Sequence, residues 1–329
     1  MTAKMEDVIL RSGEDPSLVQ RVLGAGIQDI GIERISRILE AAADAGYTAE
    51  SRRLGIVYEE KSGKGLTHPF FVLILDAFHK EAEARGYTIS FVRRGENEEY
   101  ADACMRNNLA GVCLVCAEFE TPEVEALIRS GIPCVTVDHM FKRVPAVLSD
   151  NENGIRKLVE YAIQKGHRKI AFVHGHNNSI VTRTRIIQFN NVMNYYKLPV
   201  PPEYIRECLY DNIPLVRKII REMLSLPDRP TCILLPDDIS YLGAQDAATK
   251  LGLRIPDDIS FMGYDGIPLI RSLEPKLTTI RQSAEELGQT AAARLIDRIE
   301  HPKTAKLLPA IFPVELLEGE TVKDLTYNG

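Results

Sequence analysis

Residues 149 to 175 read SDNENGIRKLVEYAIQKGHRKIAFVHG. An amphipathic run over Gly154–Lys165 predicts a helix, Gly166-His-Arg breaks it, and the apolar run Lys169–His174 predicts a strand. Moving outward, the same alternation repeats on both sides. Upstream lie LGIVYE (54–59), a helical segment Pro69–Arg85, YTISFV (87–92), AGVCLVC (110–116), a helix Pro122–Ser130 and PCVTV (133–137). Downstream come a helix Thr182–Tyr196, a strand Ile205–Leu209, a helix Pro214–Leu224, a strand Cys232–Leu235, a helix Tyr241–Leu251 and a strand Ile259–Gly263. Short continuous apolar strands separated by amphipathic helices specify an α/β protein with parallel strands buried on both faces. The series restarts after Val147-Leu-Ser149, so it reads as two doubly wound parallel-sheet lobes rather than one oversized sheet. The polar residues just past the strand ends are then the candidates for ligand contact, because open parallel sheets bind beyond the carboxyl ends of their strands.

The first 50 residues differ from the rest: they carry helical patterns over Met5–Ser12, Ser17–Leu23 and Glu33–Ala45 and no strand. A small all-helical unit therefore precedes the α/β body. At 329 residues the chain is long enough for about two domains with real cores, and 45% hydrophobic against 26% charged residues is too apolar for disorder. The net charge of -6 provides no global basic field, so any nucleic-acid contact must be local. No apolar run approaches the roughly 18 residues of a membrane span and the amino terminus lacks a secretory pattern, which predicts a cytoplasmic protein with no membrane partner. The six cysteines fit reduced core thiols. Cys113 and Cys116, three apart on a strand, face opposite ways, and no second pair stands at ligand spacing, so no metal site is expected.

The segments 149–175, LGLRIPDDISFMGYDGIPL (251–269) and LTTIRQSAEELGQTAAARLID (277–297) resemble, in order and spacing, the effector-binding core of the LacI/GalR family of transcriptional regulators. The resemblance implies a periplasmic-binding-protein-like core over 54–329, with an amino lobe of about 54–148 and 280–309 and a carboxyl lobe of about 149–279 and 310–329. The unit over 1–50 resembles the family's helix-turn-helix headpiece. Asp7-Val8 and Gly13 match the first helix and turn, 16–23 the recognition helix, and 38–43 with Gly46-Tyr47 the end of the third helix. Helix-turn-helix proteins set the second helix in the major groove with its amino-terminal residues at base edges. Here these are Pro16, Ser17, Gln20 and Arg21, of which Arg21 is suited to a bidentate contact with guanine.

Three features depart from the family. Residues 1–53 hold seven Lys or Arg against nine Asp or Glu, a balance of -2, where phosphate contacts favour a basic surface. Glu14 and Asp15 stand at the turn; Asp15 serves as an N-cap, whereas Glu14 is expected to swing to solvent or loosen the turn. Only Thr48–Arg53 separate Tyr47 from Leu54, leaving no room for the family's hinge helix.

For the effector site the resemblance points to Arg183 as a guanidinium clamp, with Arg185 facing elsewhere. Asp237 and Asp265 are the carboxylates at strand ends, although Asp237 suits a helix N-cap and Asp265 a turn equally well. Asp138 is the amino-lobe counterpart. Phe70 and Phe71 follow the first strand and suit stacking on a sugar ring, with one of them buried. His139, His174 and His176 read as edge or solvated side chains. The implied function is an effector-responsive, DNA-binding regulator, not an enzyme, acting as a homodimer on operator DNA. Its effector would be a small polyhydroxylated molecule, a sugar or sugar acid, held between the lobes. The alternative is a cytosolic sensor that has lost operator binding. No catalytic residues, metal or cofactor are expected, since no nucleophile set or GxGxxG phosphate loop is present.

Overall fold

The computed structural model describes residues 5–23, 30–45, 51–57, 68–95 and 98–326. Gly46-Tyr47 and the first half of the connection after it, 48–50, fall outside these. Three helices open the chain: α1 (Met5–Ser12), α2 (Pro16–Leu23) and α3 (Ile32–Ala45). Next come β1 (Arg53–Val57), α4 (Pro69–Ala84), β2 (Thr88–Phe91), α5 (Tyr100–Arg106), β3 (Gly111–Leu114), α6 (Pro122–Arg129), β4 (Cys134–Val137) and β5 (Ala146–Ser149). The second series is α7 (Asn151–Gln164), β6 (Ile170–His174), α8 (Ile180–Tyr195), β7 (Ile205–Glu207), α9 (Ile213–Leu224), β8 (Cys232–Leu234), α10 (Ser240–Lys250), β9 (Ser260–Asp265) and β10 (Thr278–Arg281). The chain ends with α11 (Ala284–Glu300), β11 (Ala310–Phe312) and β12 (Glu315–Leu317).

Two six-stranded sheets repeat one strand order. The first runs β11-β5-β4-β3-β1-β2 and the second β12-β10-β9-β8-β6-β7. In each, the first strand of the series pairs in parallel with both the second and the third, so the winding reverses beside β1 and again beside β6. β12 is antiparallel to β10 and closes one edge. The central strands β3, β4, β6, β8 and β9 are buried along their whole length, which is why they read as unbroken apolar runs. β5, β10, β11 and β12 were not evident from the residue pattern: they have three or four residues each, and β11 and β12 alternate with exposed positions.

Two compact units result. Unit 1 comprises Met1–Thr67, Phe71–Leu148 and Ala284–Ile311; unit 2 comprises His68–Phe70, Ser149–Ser283 and Phe312–Gly329. The division is not the expected one in three respects, the first being that His68–Phe70 group with unit 2. The crossings fall at 283/284 and 311/312, and the helical unit groups with the amino lobe instead of standing alone. The physical reason for the last is a shared core: Val8, Leu18, Val19, Val22, Ile35 and Ile38 of the helices join one apolar cluster with Met105, Leu127, Ile132 and Cys134 of the lobe.

Glu14 departs from expectation as well. It is 8% exposed, not solvated, and accepts from Arg34 Nε at 3.0 Å and Arg37 Nη1 at 2.9 Å. The Arg34 hydrogen bond holds its carboxyl below the ordinary value despite burial, so the turn is braced to α3. Asp15 opens α2 as foreseen, accepting from the Ser17 backbone N–H at 2.8 Å.

Candidate functional site

In unit 2 a set of polar side chains gathers past the carboxyl ends of the parallel strands, beside the reversal at β6 and β8. Its centre is Arg185. Two arginines spaced i, i+2 on a helix point to different faces, and α8 turns Thr182, Arg185, Phe189, Val192 and Met193 inward. Arg185 is 5% exposed, donates from Nε to Asn151 Oδ1 at 2.8 Å and from Nη1 to the Pro236 carbonyl at 3.3 Å, and lies 3.5 Å from the centroid of the Tyr264 ring. That stack is a desolvated cation–π contact. Arg183, the residue assigned as the clamp, points Nη1 to the carbonyls of Asn177 (3.2 Å) and Asn178 (2.8 Å), tying down the loop before α8.

Two glycines allow this close assembly. A Cβ on Gly154 would sit 2.2 Å from Tyr264 Oη, and one on Gly175 would sit 2.2 Å from the Tyr210 ring. Tyr210, from the loop after β7, therefore approaches the backbone that follows β6 closely, its hydroxyl 2.9 Å from Thr182 Oγ1. Burial pushes its phenol up, while Arg185 opposes the shift. Sequence reasoning missed Tyr210, Arg185 and Asn151. Tyr210 has no periodic signal because it stands in a loop, whereas the spacing of Arg185 from Thr182 and Phe189 does mark the inward face.

Asp265 ends β9 at 7% exposure, with a φ of 116°. It accepts from Gln282 Nε2 at 2.7 Å, and its other oxygen is 3.7 Å from His68 Nε2. Burial pushes its carboxyl well up, His68 pulls it down, and Asp238 pushes it up again. Asp238, fully buried, accepts from Thr279 Oγ1 at 2.5 Å and the Ile267 N–H at 2.9 Å, and burial raises its carboxyl too. Gln282 is 5% exposed, yet its Oε1 makes no hydrogen bond with the protein. Asp237 spends both oxygens on backbone: one accepts from Ser240 N–H at 2.7 Å at the start of α10, the other from Asp211 N–H at 2.8 Å. The geometry is that of a cap and a loop brace.

Of the remaining expected residues, Phe70 is buried in unit 2 at 4% exposure, beside His68, while Phe71 is half-buried in unit 1. Asp138, also in unit 1, follows β4 with a φ of 61°. Beside it His139 stacks on Phe119 with centroids 4.6 Å apart, and the Phe141 ring, tilted, lies 4.6 Å from His139 and 6.3 Å from Phe119. His139 is thus a ring within an aromatic cluster. His174, expected at an edge, is buried, and burial pulls its imidazole below the ordinary value. Among the described residues no group of three or more His, Cys, Asp or Glu could hold a metal. No described helix is long and apolar enough to cross a membrane. On α2, Pro16, Ser17, Gln20 and Arg21 are exposed while Leu18, Val19 and Val22 are buried, so the residues expected at base edges share the outward face.

Residues 159–322 match the family described as periplasmic binding protein-like domain. Along nearly the whole chain the sequence is similar to the HTH-type transcriptional repressor PurR of Pectobacterium carotovorum, at 28% identity over 99% of this chain and 98% of that protein. The ribose operon repressor of Haemophilus influenzae is 27% identical over 91% of this chain and 93% of its own length. A LacI-type transcriptional regulator of Bacillus cereus superposes with a TM-score of 0.76 at 25% identity, over 83% of this chain and 99% of that one. The chain belongs to the LacI/GalR family. A family member from Enterococcus faecium solved with bound ribose has the same fold, at a TM-score of 0.73 and 24% identity over 83% of this chain and 100% of its own. As a LacI/GalR protein, this chain has its strand-end polar set in the place where doubly wound sheets take their ligands.

Proposed function

We propose that the chain is a DNA-binding transcriptional regulator whose response is set by a small polyhydroxylated effector, a sugar or sugar acid, held at the strand ends of unit 2. The observation that carries this reading is the buried group of Arg185, Asn151, Tyr264, Asp265 and Gln282, with Gln282 Oε1 left without a protein partner. A guanidinium fork beside buried acceptors suits vicinal hydroxyls or a carboxylate, and the Tyr210 ring suits the apolar face of a sugar. In this reading Arg185 is the clamp and Arg183 shapes the loop beside it, Asp265 and Gln282 Oε1 accept hydrogen bonds from ligand hydroxyls, and Phe70 walls the pocket. Asp237 sets the position of α10. The relative named as a ribose operon repressor and the ribose-bound family member support an effector of this size. Response to it requires different affinities for two conformations, and the protein acts as a homodimer in the cytoplasm on a two-fold operator.

A thermal-shift screen of sugars, uronates and nucleosides identifies the effector, because a ligand that binds only the native state raises the melting temperature. Calorimetry then compares Arg185→Met and Arg183→Met with the unaltered chain. Loss of binding in Arg185→Met alone is expected; equal retention in both variants refutes the clamp.

A second reading, a sensor without operator binding, draws on the -2 balance of residues 1–53 and on the pairing of Arg34 and Arg37 with Glu14, which diverts two cations from phosphate. Fluorescence anisotropy with genomic DNA fragments at two salt concentrations separates the two. Tight, salt-steep binding supports the regulator, and no anisotropy change even at low salt refutes it.

A further inference from the structure

Helix α3 has two working faces. Ile35, Ile38, Ala41 and Ala42 point into the core of the three-helix unit. A second stripe, Ser36, Leu39 and Ala43 at i, i+3 and i+7, meets the amino lobe. Ser36 Oγ is 3.2 Å from the Ser130 carbonyl and 3.4 Å from that of Arg129, at the end of α6. At the next residue, a Cβ built on Gly131 would stand 3.5 Å from Leu39 Cβ, an ordinary van der Waals contact. The seam is mostly apolar and borders an open pocket of about 100 Å³, with Leu23, Leu39 and Ala43 on one side and Met105, Leu109 and Ile299 on the other. The connection to the lobe is tied at its far end. Ser51 Oγ donates to the Asn108 carbonyl at 2.5 Å, and Arg52 pairs with Glu300 at 3.0 Å while lying 5.0 Å from the centre of the Tyr87 ring. All of these contacts lie within unit 1, and Pro16, Ser17, Gln20 and Arg21 remain outward.

We infer that the helical unit is carried as a fixed extension of the amino lobe, so that packing along the Ser36–Leu39–Ala43 stripe aims α2 and takes the place of a separately folding hinge. Such a joint passes a lobe movement directly to α2, with no disorder-to-order step between. The aiming rests on the regulator reading above; the docking itself does not.

The test is a cross-link across the seam in the full-length chain. Leu39→Cys with Gly131→Cys places two Cβ atoms within the 3.5–4.5 Å range that a disulfide accepts. Mild oxidation with diamide, alkylation and non-reducing peptide mapping are expected to show the 39–131 link forming at least tenfold faster in native buffer than in 6 M urea. Equal rates in the two would overturn the docking. Gly131 has a φ of +85°, where a cysteine is strained, so a second variant guards against a folding defect. Leu39→Glu is expected to lower hydrogen-exchange protection across α1–α3 at least tenfold while unit 2 keeps its own; unchanged protection in α1–α3 overturns the docking as well. For the aiming, the probe is a 30-base-pair duplex selected from a random pool by the unaltered chain. The cross-linked protein is expected to hold it within about threefold of the unaltered affinity. A loss above tenfold that reduction reverses would overturn the aiming, because it would show that α2 must leave the lobe to reach DNA. Failure of the unaltered chain to select any duplex defeats the regulator reading, and the aiming with it, while the cross-link still decides the docking.

Discussion

Gly154→Ala perturbs the candidate site without touching a charged group. The new methyl would lie 2.2 Å from Tyr264 Oη and 2.9 Å from Cζ, and apolar contacts settle near 3.5 Å, so the phenol end must retreat by more than about 1 Å. It has little room, for Tyr264 is 1% exposed with the Arg185 guanidinium against its ring. Two effects oppose each other. Alanine in place of glycine in a helix is favourable by roughly 0.5–1 kcal/mol. Overpacking a filled core costs roughly 1–3 kcal/mol, and a desolvated cation–π stack is worth about 2 kcal/mol where it is lost. The clash wins, and a net destabilisation of about 2 kcal/mol is expected, which is a fall of roughly 4–8 °C in melting temperature for a unit of this size. Urea unfolding of a double-mutant cycle with Tyr264→Phe measures it. Alone, Tyr264→Phe removes a long hydrogen bond to Asn151 and should cost about 1 kcal/mol. In the Gly154→Ala background it also removes the clashing oxygen, so the pair should couple by about 1 kcal/mol or more. Additivity within about 0.5 kcal/mol would refute the proposed crowding. Effector affinity should fall at least tenfold in Gly154→Ala, because Arg185 loses the ring that holds it.

Burial raises both Asp238 and Asp265, so above the ordinary carboxylate range the folded chain keeps protons that the unfolded chain has released, and their contribution to stability, full at the acid end, fades as pH rises through the raised values. Melting temperatures from pH 5.5 to 8.5 should decline and the decline should be shallower in Asp238→Asn, whereas an identical slope in both proteins contradicts the assignment. Asp237→Ala removes the acceptor for the Ser240 and Asp211 N–H groups and should cost about 1–2 kcal/mol in denaturant unfolding, with Asp237→Asn intermediate; a neutral alanine would show that the cap contributes nothing. None of the six cysteines is disulfide-bonded and all except Cys116 are buried, so Ellman's reagent should find one fast thiol per native chain, lost in Cys116→Ser. Two or more fast thiols would mean that a strand carrying one of the others opens readily.

The parallel strands were legible because both of their faces are covered, which leaves continuous apolar runs such as 111–114 and 170–174. The short edge strands β11 and β12 were not, since half-exposed triplets carry no period to detect. At the site, Asp265 could be placed from its strand end. Arg183 and Arg185 could be told apart only by asking which shares a face with Phe189, and the resemblance drew attention to the less buried of the two. Tyr210 and Asn151 reach the cluster from a loop and a helix start, where neither pattern nor charge marks them. Glu14 shows the limit of counting charges: the tally treats it as repulsion toward DNA, while in the fold it is met by arginines 20 and 23 residues further on.

Unit 1 combines most of the first 148 residues with the distant segment Ala284–Ile311, and that bears on the order in which it can be made. Helix α11 covers β3 and β4, with Leu295 and Ile299 3.0–3.1 Å from the Cβ position of Gly111, and Ile299 also borders the seam under the helical unit. Synthesis at about 5–20 residues per second delivers α11 roughly 10 to 50 s after α3. During that interval the first sheet has part of one face uncovered, beside α4, and the helices at the amino terminus lack part of their seat, although unit 2 already has most of its strands. Unit 2 waits as well, because β12, which pairs with β10, follows α11; a nascent chain halted before Ala284 would lack a covering helix of unit 1 and an edge strand of unit 2.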